Sequence, residues 1–243
     1  MSDDILKRAL GYPYTLPGAS YIVDTGVVLP LSAEDMPRHR AGRIPVLAIG
    51  SNQSPDQIRR KFSGPDWLPI PCEKCHLENF DTVFSAHITA YGSIAAALHP
   101  SPGTRVSLFI NWLDESHMSH MHATELGNEN YVYARLDGVR VLTEFGHEMT
   151  HVYFYRSNAG AYAPKKHPIP LAEVAADNRR WDAMRQIDIQ SFVQACLEPA
   201  YLLEDFVMSS INQTETRRNR AAAMQTQAIP FQHPGLTVIK NKM

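Results

Sequence analysis

VLAIGSNQSPDQIRR, residues 46–60, is the stretch from which the rest of the chain can be read. Val46-Leu47-Ala48-Ile49 is a brief apolar run ended by Gly50, the pattern of a buried strand. Ser54-Pro55-Asp56-Gln57 then opens a helix: Ser54 can cap it, Pro55 suits its first position, and Gln57 completes a capping box. Gly64-Pro65 stops that helix. Between the two, Gly50-Ser51-Asn52 offers successive backbone N–H groups close to the positive helix end, where a carboxylate can be held. Taken alone, the same residues also make a plain strand-to-helix turn.

Upstream, residues 1–45 are punctuated by Pro13, Pro17, Pro30, Pro37 and Pro45 and read as an irregular lead-in, with Tyr21–Leu29 its one strand-like stretch. Downstream, Pro69, Pro71 and Cys72–His76 read as a loop. Thr82–Tyr91, Ser93–Leu98 and Arg105–Leu113 are strand-like, separated by Gly92 and by Pro100-Ser101-Pro102-Gly103. Residues 115–125 have a helical pattern with Asp114 as cap. Tyr131–Leu136, Val139–Phe145 and Val152–Arg156 return to strands, with Asp137-Gly138 as a hairpin signal. From Leu171 the pattern turns helical over residues 171–184, 188–209 and 213–225, with Pro199 interrupting the second, and leaves an apolar face to pack on the strands.

The composition is that of an ordinary globular protein: of 243 residues, 44% are hydrophobic and 20% charged, and the net charge is −2. So balanced a chain has no large field to attract nucleic acid or an anionic membrane. No apolar run reaches the length of about 18 residues that spans a bilayer. The start, MSDDILKRALGYPY, is acidic and has no signal-peptide core, and Cys72, Cys75 and Cys196 are too few for a disulfide framework. A reducing cytoplasm is the expected compartment.

Several residues could carry chemistry. Glu125 closes the helical stretch in Met121-His122-Ala123-Thr124-Glu125, just before a strand. Partial burial there raises a carboxyl pKa and makes a useful proton acceptor, although a helix Glu is more commonly just solvated. His147-Glu148-Met149-Thr150-His151 matches the zinc-hydrolase pattern, which needs both His on one helix face. The following Val152-Tyr153-Phe154-Tyr155 favours a strand, on which positions i and i+4 stand about 13 Å apart, too far for one metal. Cys72-Glu73-Lys74-Cys75-His76 fits a haem-attachment or zinc pattern, against the plainer reading of two reduced cysteines in a loop. His117, His120 and His122 cluster on the helix before Glu125; a metal pair at i, i+3 competes with a histidine-rich exposed face. Arg217-Arg218-Asn219-Arg220 is too short a basic patch for nucleic acid and reads as a solvated helix face.

Taken in order, residues 46–60, the small-residue strand and turn of residues 92–106, Met121–Glu125 and His151–Arg156 resemble the gamma-glutamylcyclotransferase-like superfamily, over residues 46 to 160. The resemblance implies an α+β fold built on a small mixed β-barrel: residues 1–45 a lead-in, 46–165 the barrel, and 166–243 a helical C-terminal extension packed on it. It also implies a site in which Ile49, Gly50, Ser51 and Asn52 hold the carboxylate end of a γ-glutamyl group while Glu125 shuttles a proton. The substrate's own amine attacks its γ-carbonyl, releasing 5-oxoproline and an amine, with no metal and no cofactor. The expected partner is a small γ-glutamyl or other amide substrate, not nucleic acid or membrane. Ile49 stands where the family has Tyr, His122 where it has Asp, and Leu126 where it has Gly, departures that bear on the substrate. Two rival readings stand beside it: a zinc hydrolase using His147 and His151, and a non-catalytic carboxylate-binding module on the same fold. The leaving group and the oligomeric state are left open.

Overall fold

In a computed structural model of the chain, residues 2–64, 67–127 and 129–240 are described. The lead-in, expected to be irregular, is not. It carries helix α1 (Ser2–Leu10), strands β1 (Tyr21–Asp24) and β2 (Val27–Pro30), and a short helix α2 (Met36–Arg40). Thr25-Gly26 turns the single expected strand into a β1–β2 hairpin. Pro13 and Pro17 fall between elements, Pro30 on the edge strand β2 and Pro37 at the start of α2, where a missing N–H costs little, while Pro45 enters the next strand one residue before its second ladder begins.

The apolar run becomes β3 (Ile44–Ala48), followed by a 3-10 turn (Ser51–Gln53) and α3 (Pro55–Lys61). Pro55 does open α3, but the expected capping box does not form: the Ser54 hydroxyl makes no cap, and Gln57 instead accepts from Arg60 at 2.7 Å. The helix ends at Lys61, ahead of Gly64, while Pro65 lies outside the described residues. Both faces of β3 are buried. Leu47 and Ile49 join one apolar cluster with Leu108, Ile110 and Phe154; Val46 and Ala48 join another under α3, with Ile58 and Phe109. A strand buried on both sides reads as an unbroken apolar run.

Two long strands follow, β4 (Ile70–Ile88) and β5 (Ile94–Leu113), then α4 (Glu115–Glu125), β6 (Tyr131–Thr143) and β7 (Glu148–Ser157). The expected loop at Cys72–His76 is therefore strand: Cys72 pairs with Asn111 and Cys75 with both Leu108 and Thr143. Pro100–Gly103 likewise does not break β5, because β4 shifts register at Asn79 beside it. Asp137-Gly138 is a bulge within β6 and not a hairpin, with Gly138 at φ +72° supplying the left-handed residue a bulge requires. The hairpin proper is at residues 144–147, where Gly146 donates to Thr143 O at 3.0 Å.

β4 pairs β5 and β6, β5 pairs β3, β3 pairs β7, and β7 pairs β6, so the ladder closes on itself. The β3–β7 ladder is parallel and the other four are antiparallel. The fold is α+β, around a small mixed five-stranded barrel.

Beyond the barrel, residues 171–184 are not the expected helix. They form an extended crossing that holds β9 (Ala176–Asp177), after the short β8 (Ala161–Tyr162). Leu171 donates to Thr82 O, and Met184 donates to Pro170 O while accepting from Ala172. Arg179 ties the crossing to the buried Asp81 carboxylate at 3.1 Å. These are contacts that no helical periodicity encodes. Helices α5 (Gln186–Leu197), α6 (Leu203–Asn212) and α7 (Thr214–Gln225) do form, divided at Pro199 as expected, and α7 packs on β4. The extension is not purely helical, since β10 (Ala228–Ile229) pairs β8 and β11 (Leu236–Lys240) pairs β6. Among the described residues, no helix is long and apolar enough to cross a membrane.

Candidate functional site

The turn after β3 is held from three directions. Gln53, wholly buried, donates back to Ile49 O at 2.8 Å, Tyr21 of β1 donates to Gln53 O at 3.0 Å, and Asn111 of β5 donates to Asn52 O at 3.1 Å. A fourth support comes from the lead-in. The Tyr12 phenol oxygen accepts the Ala96 amide at 3.0 Å and lies beside the Ser51 backbone and against Gly50. A Cβ on Gly50 would stand 1.9 Å from that oxygen, so glycine is required here for close approach and not for an unusual φ, which is −117°.

Glu125 reaches the same place through α4. Asp114 caps the helix, accepting from the His117 amide at 2.9 Å. The His117 ring bonds Leu68 O at 3.0 Å and the His120 ring bonds Lys61 O at 2.8 Å. These two histidines, expected on an exposed face, instead dock α4 on the end of α3, packed among Phe62 and Trp67. The last residue of α4 then meets the turn: Asn52 Nδ2 donates to Glu125 Oε1 at 3.0 Å. Because a carboxylate accepts and does not donate, this bond fixes the amide's orientation. Asn52 Oδ1 is left buried, with no hydrogen-bond partner among the described residues.

Sequence reading missed Lys61, the last residue of α3, whose ammonium pairs with Glu125 Oε1. Only 16% of the Glu125 side chain and 11% of the Lys61 side chain is exposed. Burial pushes the Glu125 pKa up, but the Lys61 charge and the hydrogen bonds from Lys61 and Asn52 together outweigh it. The carboxyl is held below its ordinary value, the reverse of the rise expected from burial alone. Sequence reading also missed Tyr12. Both were legible at most as an Arg-Arg-Lys helix end and a Tyr-Pro-Tyr segment.

A cavity of about 770 Å³ opens over these groups. Ile49, Gly50, Ser51, Asn52 and Glu125 all line it, together with Lys61. Its phenols are Tyr12, Tyr91, Tyr131 and Tyr155, all raised in pKa, first by burial, and so kept protonated. His122 does not bond Glu125; its ring bonds the Tyr155 hydroxyl at 2.8 Å and so orients a cavity wall. Cys72 and Cys75 lie three apart on β4, and their side chains enter different clusters on its two faces. His147 precedes β7 and His151 lies within it, so the helical geometry of the zinc pattern is not present, and neither lines the cavity. Among the described residues, no group of three or more His, Cys, Asp or Glu side chains could hold a metal.

No protein-family model and no curated protein sequence matches the chain. Solved structures do. A structure described as gamma-glutamyl cyclotransferase matches at 15% identity and a TM-score of 0.38, covering 81% of this chain and 94% of that one. An uncharacterized protein from Homo sapiens matches at 14% and 0.40, covering 82% and 94%. A solution structure from Arabidopsis thaliana matches at 20% and 0.36, covering 48% and 70%.

Proposed function

We propose that the protein cleaves the amide of a γ-glutamyl or closely related small substrate by internal attack, releasing 5-oxoproline or an analogue and an amine. The observation that carries this reading is the meeting of Asn52 and Glu125 at 3.0 Å within one cavity, from positions 73 apart in the chain.

The groups are those that such a reaction needs. Glu125 already accepts an ammonium, that of Lys61, so its carboxylate suits the substrate's α-amine. The Ser51–Asn52 turn and the Tyr12 phenol offer donors to the substrate carboxylate. Tyr12 receives an amide at its oxygen, which leaves its own hydrogen to give, and so provides a phenol where Ile49 provides none.

In the reaction the unprotonated amine nitrogen attacks the γ-carbonyl carbon and a C–N bond forms. The attacking nitrogen becomes positively charged and acidic, so even a carboxylate of lowered pKa can take its proton. Glu125 passes that proton to the departing nitrogen as the original C–N bond breaks. Because the nucleophile is tethered, most of the rate gain comes from orientation. No step calls on a metal or an organic cofactor.

The test is incubation of the purified protein with a panel of γ-glutamyl amino acids and amines, assayed for 5-oxoproline and free amine. Release of both in equal amounts supports the assignment. Binding of the panel without product from any member would favour a carboxylate-binding module.

A further inference from the structure

The cavity is larger than a γ-glutamyl group fills. At about 770 Å³ it sits in the range of roughly 300–1,000 Å³ that encloses whole ligands of drug size. Much of the added wall is α7. Thr214, Arg217, Arg218, Ala221, Ala222 and Gln225 line the space, at the i, i+3, i+4, i+7 spacing of one helix face. The alanines keep the floor of that face low and the arginines stand at one end of it.

The three arginines of this helix have different tasks. Arg220 is 3% exposed and spent within the fold, on Glu198 and on Phe206 O. Arg217 gives one terminal nitrogen to Ser210 O at 2.7 Å and Ile211 O at 3.3 Å and the other to Thr214 Oγ1 at 3.3 Å, so its place is fixed while its Nε–H and one further N–H remain. Arg218 is exposed and has no side-chain partner among the described residues. Burial and the Arg217 charge lower the pKa of nearby His87 to about 4, which keeps that cavity residue neutral. The charged lining is Lys61, Arg217 and Arg218 against Glu125 and Glu129, an excess of one cation, and Lys61 is already matched by Glu125.

We propose that Arg217 and Arg218 form a second anion subsite on the α7 wall, which selects substrates whose leaving portion itself carries a carboxylate. This deepens the reading above and rests on it: one end of the substrate lies at Ser51–Asn52 and Glu125, the other against α7. Arginine suits the task, since its planar fork matches a carboxylate with two donors at once.

A matched pair of compounds tests this, γ-glutamylalanine and γ-glutamylethylamide, which differ by one carboxylate on the leaving side. Binding to Glu125→Gln and turnover by the unmodified protein are measured for both. The expected result is a preference of about two- to fivefold for the alanine compound in Kd and in kcat/KM, the size of a partly exposed charge pair. Arg218→Gln should shrink that preference more than Arg217→Lys does, with salt having the same effect. Equal treatment of the two compounds, or a preference untouched by Arg218→Gln, overturns the subsite and leaves the proposed reaction standing. If neither compound binds or reacts, the proposed reaction fails, and the subsite with it.

Discussion

Lys61 and Glu125 form an ion pair at the cavity wall, each side chain more than four-fifths buried, joining the last residue of α3 to the last residue of α4. The Lys61 ammonium is what turns a buried carboxyl, which burial alone would raise, into one held below its ordinary value. Replacing it should reverse the sign. In Lys61→Met, burial remains and only the Asn52 bond opposes it, so the Glu125 pKa should move up past the usual carboxylate range. The acid limb of kcat/KM should move with it, and a carboxyl titration followed by NMR gives the pKa directly. An unmoved limb would remove Glu125 as the titrating group.

The same pair carries a pH dependence of stability. Glu125 titrates lower in the folded protein than in the unfolded chain, so its contribution is fully present above the unfolded value near 4.5. It should be lost as pH falls through the folded value. Denaturant melts between pH 3 and 6 should show this acid loss shrink in Glu125→Gln. That variant should also lower turnover by about a hundredfold or more, as expected for a lost proton shuttle. Turnover within a few-fold of the unmodified protein would end the base role.

Gly50 should not tolerate a side chain. Alanine there brings Cβ to 1.9 Å from Tyr12 Oη and 3.2 Å from Ala96 Cβ. Overpacking of this kind costs about 1–3 kcal/mol. Tyr12→Phe removes the nearest atom, so in the Gly50→Ala, Tyr12→Phe double variant part of the loss should return. A double-mutant cycle on thermal stability measures that coupling, and simple additivity would show that the phenol is not the obstacle.

Arg40 should matter more to stability than other surface-facing arginines. It holds Glu73, which is wholly buried, through two nitrogens at 2.5 and 3.2 Å, and Trp112 adds a third bond at 3.0 Å. Arg40→Ala leaves a buried carboxylate short of its counter-charge, at a cost of about 3 kcal/mol or more. Arg140, paired with Glu78 and Glu148 in solvent, should lose far less on the same change. Urea unfolding of the two variants side by side gives the contrast.

The cysteines should divide sharply in reactivity. Burial pushes the Cys72 thiol up to about 12 and the Cys75 thiol higher still, whereas Cys196 is exposed. At pH 8, iodoacetamide should modify Cys196 in the native protein and reach the other two only on unfolding, as peptide mass mapping would show. Prompt native labelling of Cys72 would mean that β4 opens.

How much of this was readable in the chain depends on whether the cause was local. The apolar run of β3, the opening of α3 at Pro55 and the Asp114 cap of α4 follow from neighbouring side chains, and each stands where the sequence put it. Pro71, Pro100-Ser101-Pro102-Gly103 and Asp137-Gly138 carry strong local signals for breaks, yet β4, β5 and β6 run through them. Ladder bonds and burial on the paired strands offset the local preference, and Gly138 and Asn79 absorb the mismatch as irregularities of register. Residues 171–184 went the other way: a helical spacing was overruled by backbone bonds to β4 and β5.

The sequence by itself determined the elements at the heart of the site, because a strand, a turn and a capped helix are specified over a few residues each. It also put Asn52 and Glu125 at the ends of such elements. Only the tertiary structure decided that Lys61 would set the charge on Glu125, that Tyr12 would close on Gly50, and that α7 would wall the cavity. Those outcomes depend on which surfaces pack together, and an ion pair or a close approach is fixed by distances in space that no spacing along the chain encodes.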